Sequence, residues 1–369
     1  MSEPKRLKIC VYAIAKNEEK FVERFCESAR GADLIIIADT GSTDRTVELA
    51  KECGASVFEI CVNPWRFDKA RDVALGLVPA DVDVCVSIDL DEVLELGWRE
   101  EIEKVWFEGA TRLRYGYDWG CGIRFNADKI HARKGYFWHH PCHELLRPDP
   151  RTKEVFAETN NLLVTHLPDD QKSRGTYLEL LEMSVKEDKH CPRNSFYLAR
   201  ELYFRGRTDE AIAECKRYLE LPDATWHHER CYALRVIGKC YEGRGLFAEA
   251  EGWYQKAAAE APFTREPWCA LALLYYRQAK WAESFAAATR ALGITVREWV
   301  YTVDPECWKA MPHDLASIAA WNLGMKEEAI RHTKAALEIE PENARIANNL
   351  KLMSPVVSPT TGEEFGWAS

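Results

Sequence analysis

The chain has 369 residues, 47% of them hydrophobic and 29% charged, with 13 Trp and a formal net charge of −10. That length suits two ordinary domains, and the acidic balance excludes the basic footprint on which unselective nucleic-acid binding rests. No apolar stretch reaches the length of a membrane span, Met1–Arg6 is polar with no apolar signal core behind it, and the 13 Cys include no CxxC pair; the sequence predicts a cytoplasmic protein in a reducing compartment.

In chain order, Lys8–Ala15 reads as a short buried strand, and Lys16-Asn17-Glu18-Glu19 opens a helix over Phe21, Val22, Phe25 and Ala29. Leu34–Ala38 is a second strand. It ends in Asp39-Thr40-Gly41-Ser42-Thr43-Asp44, where Ser42 or Thr43 is an N-cap candidate for a helix over Arg45–Cys53. Gly54–Ile60 reads as a third strand and Phe67–Leu77 as a third helix. A fourth apolar run, Val84–Ile88, stops abruptly at Asp89-Leu90-Asp91-Glu92. Strands alternating with helices of this length predict right-handed crossovers and a mainly parallel sheet, with the polar clusters at the ligand-binding carboxyl ends of its strands. From Ala110 to His166 shorter aromatic segments predict antiparallel strands added to one edge. Leu162–His166 is the last of them. The local excess of Arg112, Arg114, Arg124, Lys129, Arg133 and Lys134 reads as a solvated strand face that could also meet phosphates.

Helix dominates afterwards. Aligning Ala211, Ala250, Ser284 and Ala329 superimposes four helix-turn-helix units around a basic repeat of about 34 residues, the tetratricopeptide pattern. The second unit carries Leu234, Gly238, Tyr241, Gly245, Phe247, Tyr254, Ala257 and Pro262 at that pattern's spacings. The expected division is 1–170, a connecting helix over 171–192, repeats over 193–353 and a tail over 354–369.

Four clusters converge on the expected crevice: Ala15–Glu18, Asp39–Asp44, Trp65–Asp72 and Asp89–Glu92. An acid such as Asp39 can accept from a nucleobase imide or a ribose hydroxyl, and Arg71 can neutralise a diphosphate. Asp89 and Asp91, at i and i+2, can hold a hard divalent cation of the kind that bridges phosphates. Each cluster has a plainer reading: an N-cap loop for Asp39–Asp44, an Asp68/Arg71 ion pair for the third.

Together and in this order, the Asn-Glu after the first strand, the D-x-G-S-T-D-x-T loop, the F-D-x-A-R-D helix start and the strand-end D-x-D resemble the family 2 glycosyltransferases of GT-A fold. The branch resembled is the one with tetratricopeptide repeats behind the catalytic domain. The resemblance covers residues 8 to about 190 for catalysis and 193–350 for repeats. It implies a nucleotide-sugar donor (a UDP-sugar), Mg²⁺ or Mn²⁺, and inversion at the anomeric carbon. Ala15, Asn17, Glu18, Asp39, Ser42, Asp68, Arg71 and Asp89 become candidate donor-binding residues, Asp89, Asp91 and His166 candidate metal ligands, and Glu144 with Asp91 the catalytic pair.

Glu144 follows from the His-Glu pair of Trp138–Leu146, which in the resembled family faces the acceptor; it is the candidate base. Its plainer reading is a partner of Arg124 or Arg147. The crowded His139, His140, Cys142 and His143 lack the distant second pair that a zinc site needs. Arg174 and Tyr177 are candidates for a lid over the donor. Asp72 departs from the family, which usually has Asn or a small residue there.

The expected acceptor is a macromolecule, a protein or peptide bound by the repeats. A saccharide, a lipid-linked glycan and a modified nucleic-acid base are the alternatives. Two rivals compete with the whole reading. A nucleotidyltransferase would show a Gly-rich basic loop near the first strand, and Ile14–Lys20 has no glycine. A repeat scaffold with a relic transferase domain is opposed by the intact Asp39, Arg71, Asp89 and Asp91.

Overall fold

A computed structural model describes residues 6–120, 122–169 and 177–354. Arg174 and the tail after Ser354 lie outside the described residues.

The first strand, β1 (Ile9–Ala15), is followed by α1 (Glu19–Ser28), β2 (Leu34–Asp39), α2 (Thr46–Glu52), β3 (Ser56–Glu59), α3 (Phe67–Leu77) and β4 (Val84–Ser87). β1 pairs in parallel with β2 and β4, and β2 with β3, as the alternation predicts. Both faces of β1 are covered: Ile9, Val11 and Ala13 pack with Phe21, Val22 and Phe25 of α1, while Cys10 and Tyr12 pack with Ala74 and Leu75 of α3. Two-sided burial is why these strands read as continuous apolar runs.

The chain continues through β5 (Glu92–Leu94), α4 (Trp98–Val105), β6 (Arg112–Gly120), β7 (Ile123–Ala132), a separate antiparallel pair of β8 (Tyr136–His139) with β9 (Leu145–Pro148), and β10 (Phe156–His166). Among the described residues the main sheet has eight strands in the order β3-β2-β1-β4-β7-β6-β10-β5. β7 is antiparallel to β4 and β6, β10 is parallel to β6, and β5 is antiparallel to β10. The added part is therefore mixed rather than purely antiparallel. Strand β5, three residues long, carries no periodic signal and exists because β10 pairs with it.

Two local expectations change. Helix α2 starts at Thr46, with no side-chain cap from Ser42 or Thr43. Both residues are spent on neighbouring loops, and Asp44 instead accepts from the Thr46 N–H at 3.0 Å. The basic strand face is not free: Arg112 pairs with Glu154 and Asp128, Arg114 with Glu158, and Arg124 with Asp118.

Helices follow to Met353: α5 (Tyr177–Glu187), α6 (Pro192–Phe204), α7 (Thr208–Glu220), α8 (His227–Glu242), α9 (Phe247–Glu260), α10 (Glu266–Arg277), α11 (Trp281–Leu292), α12 (Met311–Asn322), α13 (Lys326–Ile339) and α14 (Ala344–Met353). The aligned small residues Ala211, Ala250, Ser284 and Ala329 fall on α7, α9, α11 and α13, the second helix of each hairpin, and all four are fully buried. Small side chains there let the two helices of a hairpin approach closely. Two compact units result. One runs to Glu229 and takes back Glu298–Val303; the other holds Arg230–Arg297 and the helices after Asp304. Among the described residues no helix is long and apolar enough to cross a membrane.

Candidate active site

The carboxyl ends of β1, β2 and β4 carry three of the four predicted clusters, and the other, Trp65–Asp72, runs into α3. After β1, Asn17 takes a left-handed backbone (φ 55°) that Asn tolerates better than most residues. Its backbone N–H donates to Ser42 Oγ at 2.8 Å, and its side-chain oxygen accepts from the Thr43 N–H at 2.7 Å. The Glu18 N–H donates to Thr46 Oγ1 at 2.7 Å. Asp39, buried, accepts from the Gly41 and Ser42 N–H groups at 3.0 and 2.9 Å and from the Ser42 hydroxyl at 2.5 Å. A carboxylate offers about four acceptor positions, so Asp39 retains roughly one beyond those that shape its own loop. Ala15 lies opposite Asp39 in the sheet, and its carbonyl is taken by Thr40. Ala15, Asn17, Glu18, Asp39 and Ser42 thus form one interlaced pair of loops.

At the end of β4 the three acids separate by role. The Glu92 N–H closes a turn on the Asp89 carbonyl at 2.9 Å, and the Glu92 carboxylate reaches back to the Asp89 N–H at 2.9 Å. Glu92 is buried, receives the Tyr117 hydroxyl at 2.5 Å, and has Lys129 Nζ at 3.5 Å. Burial and the neighbouring Asp89 push its carboxyl above the ordinary range, against the pull of Lys129. Asp89 turns to two cations, Arg71 at 2.6 Å and Lys129 at 3.9 Å. Asp91 stands beside His166, with Oδ2 3.4 Å from Nε2. The pairing of β5 with β10, which sets His166 opposite Glu92, produces that neighbourhood. The imidazole also lies against the Trp119 ring, 4.3 Å between centroids. Burial lowers the His166 pKa, but the bond to Asp91 and the charge of that carboxylate outweigh it, so the net shift is upward.

Arg71, on α3, is the hub. Buried beneath the crevice, it donates through Nε to Glu144 and through one Nη to Asp89, and its guanidinium lies over the Trp138 ring at 5.0 Å. Its other terminal nitrogen, Nη1, has no hydrogen-bond partner among the described residues. Burial disfavours the cation, yet the two carboxylates hold its pKa well above the usual value. Asp68 pairs with Arg66 at 2.8 Å rather than with Arg71, and Glu144 pairs with Arg71 rather than with Arg124 or Arg147. Asp68 therefore stands apart from the hub. Asp72 accepts from the Trp138 N–H at 2.7 Å and so ties α3 to β8. Tyr177 packs on Phe67 and His143.

The donor set fits a divalent cation in chemical type. Asp91 and His166 supply a hard oxygen and an imidazole side by side, and Mg²⁺ commonly takes one or two protein ligands with the rest from phosphates and water. Among the described residues no three His, Cys, Asp or Glu side chains form a ready-made cage. Sequence reasoning placed Glu92 in the fourth cluster and Lys129 on the basic strand face without giving either a role here, and it missed Tyr117. The position of Lys129 beside Asp89 and Glu92 depends on β7 lying antiparallel beside β4.

Residues 10–156 match the family model described as "Glycosyl transferase family 2". An uncharacterized glycosyltransferase of Rickettsia bellii (strain RML369-C) is 35% identical over 116 residues, covering 31% of this chain and 38% of that protein. Another, of Rickettsia prowazekii (strain Madrid E), is 34% identical over 110 residues, 29% of this chain and 36% of its own length. The match thus spans well under half of these relatives. Among solved structures, YrrB, a tetratricopeptide-repeat protein with an unusual peptide-binding site, aligns at TM-score 0.39 and 18% identity over 48% of this chain and 82% of its own. MamA aligns at 0.36 and 18%, over 46% and 83%. Residues 10–156 of the α/β part thus match the family 2 glycosyltransferase model, and helical hairpins of the tetratricopeptide pattern follow that part.

Proposed function

We propose that the protein transfers a sugar, with inversion, from a UDP-sugar to a macromolecular acceptor in the cytoplasm, using residues 1–170 for catalysis and the repeats of 193–353 to bind a protein or peptide. The observation that carries this reading is the pairing of Asp91, after β4, with His166, at the end of β10, beside the Asp89–Arg71–Glu144 chain of ion pairs; all of these but His166 lie in the segment that matches the family 2 model.

In this reading Asp91 and His166, with Asp89 nearby, hold Mg²⁺ or Mn²⁺. When bound, the cation supplies charge neutralisation on the departing diphosphate. Arg71, with Nη1 unengaged, adds a donor toward the same phosphates. Asp39 offers its remaining acceptor position to the base or ribose, at the mouth of the loops that Asn17, Glu18 and Ser42 shape. Glu144, one oxygen held by Arg71, takes the acceptor's proton with the other. Attack from the face opposite the leaving group inverts the anomeric carbon in a single displacement, the geometry that governs inverting glycosidases.

The test is a screen of nucleotide sugars for donor hydrolysis, with and without EDTA, on the full chain and on Asp91→Ala. Turnover of one donor that EDTA and the substitution each abolish is the expected result. Full activity in excess EDTA removes the metal assignment, and no turnover of any donor removes the enzyme reading. A concave repeat surface whose substitutions depress transfer to a peptide but spare donor hydrolysis is the expected signature of the acceptor platform.

A further inference from the structure

Glu144 follows a strained loop. His140 and His143 both adopt left-handed backbone, φ 84° and 51°, which side chains with a Cβ rarely adopt. Such a conformation persists only where its surroundings over-determine it. Two contacts do so at His143, and a third braces them. Its ring stacks on Tyr197 with centroids 3.9 Å apart and planes at 16°; its carbonyl accepts from Arg193 Nε at 3.2 Å; and Arg193 in turn lies over the Tyr197 ring at 4.8 Å.

Tyr197 is itself backed from a distant part of the chain. After Arg297 the polypeptide leaves the second unit, and Glu298–Val303 belongs to the first. Tyr301 there lies parallel to Tyr197, 6.2 Å away and 16° off plane, and packs edge-on against Phe196 and Trp226. Its hydroxyl donates to the Glu229 carboxylate, whose second oxygen accepts from Tyr218. On another side Tyr301 meets Phe125 at 6.1 Å; Phe125 packs on Tyr117, and the Tyr117 hydroxyl holds Glu92 behind Asp89.

We propose that Tyr301 is a positioning residue for Glu144, acting through the Tyr197 ring and the His143 backbone. The inference rests on the reading of Glu144 given above. In consequence the N-terminal α/β domain has an incompletely supported site when cut from the segment lying between the third and fourth repeats. A flat ring is what Tyr197 needs behind it. Phe in place of Tyr301 keeps that ring and loses only the bond to Glu229, whereas Leu keeps apolar volume and loses the ring.

The experiment uses the full chain with Tyr301→Leu and Tyr301→Phe, and reads amide hydrogen exchange alongside donor turnover. Exchange in the peptides over residues 139–146 is expected to quicken in Tyr301→Leu, while those over β1 and β2 stay protected. Tyr301→Phe is expected to restore the slow exchange. In turnover, Tyr301→Leu is expected to lower kcat roughly 10- to 100-fold with donor KM unchanged, the effect of a misplaced catalytic group, and Tyr301→Phe to recover most of it. Unchanged exchange at 139–146 overturns the proposal. So does loss of protection throughout the first unit, which makes Tyr301 merely structural. A wild-type protein that turns over no donor sinks the transferase reading, and the exchange arm still decides the role of Tyr301.

Discussion

At the scale of single residues, Arg71 decides most. It is one cation set between carboxylates from two different elements, Asp89 after β4 and Glu144 before β9. A guanidinium can meet both along separate N–H directions, and the point-like ammonium of Lys cannot. Arg71→Lys is therefore expected to leave the domain folded while weakening nucleoside diphosphate binding by roughly 1–3 kcal/mol, read by calorimetry. Arg71→Met strands both acids and is expected to cost about 3–5 kcal/mol of stability, read by urea unfolding. Undiminished affinity in Arg71→Lys would limit this residue to a structural role. Asp72 behaves differently, because its carboxylate serves the Trp138 N–H. Asp72→Asn keeps an acceptor there and is expected to be mild. Asp72→Ala leaves that N–H unmatched and is expected to cost about 1–3 kcal/mol in the same unfolding measurement.

Between elements, the hairpin of α8 and α9 shows how a repeat position acquires its residue. Replacing a helical Gly with Ala ordinarily gains about 1 kcal/mol. At Gly238 a Cβ would come within 2.4 Å of the Tyr254 ring, which is buried and anchored by its hydroxyl to Glu242 at 2.6 Å. The clash outweighs the propensity, and Gly238→Ala is expected to destabilise the second unit by about 1–3 kcal/mol, seen as a lower urea midpoint. Both Gly238 and Tyr254 are readable from sequence because repeat spacing is local and periodic. The same holds for β1, β2, β4 and α3, whose apolar patterns need no knowledge of the partner. What depends on pairing was not readable. Strand β5 is too short to carry a pattern, the N-cap expected from Ser42 or Thr43 was lost to contacts with Asn17, and the partner of Glu144 came from 73 residues away. Tyr301 is the extreme case: it lies among repeat residues in sequence yet belongs to the first unit.

For the molecule as a whole, both units carry buried neutral histidines, which sets the direction of its response to acid. In the first, His131 lies between Tyr12 and the Ala132 carbonyl. Nδ1 is 2.8 Å from that carbonyl and must be the donor, so Nε2 accepts from the Tyr12 hydroxyl at 3.0 Å. The Tyr12 oxygen already accepts from Trp138 Nε1 at 2.9 Å. A second proton on His131 would disrupt this chain. Burial, with Arg112 and Arg133 nearby, holds the His131 pKa down at about 3. In the second unit His332 accepts from Arg331 at 3.1 Å and meets His313 at 3.0 Å; burial and those neighbours lower it to about 4. For each group the folded pKa lies below the unfolded one, so between them the unfolded chain binds the extra proton. Stability is full above about pH 6.5 and falls as pH drops toward the folded pKa, by at most about 1.4 kcal/mol per pH unit for each histidine. Urea midpoints measured from pH 7.5 to 5 are expected to decline in both units. His131→Gln, which keeps a polar side chain but cannot titrate, is expected to lessen the decline of the first unit, where burial also holds His140 down at about 4, and to leave that of the second unchanged. An equal slope in the variant and the wild type would mean that His131 is not what the acid attacks.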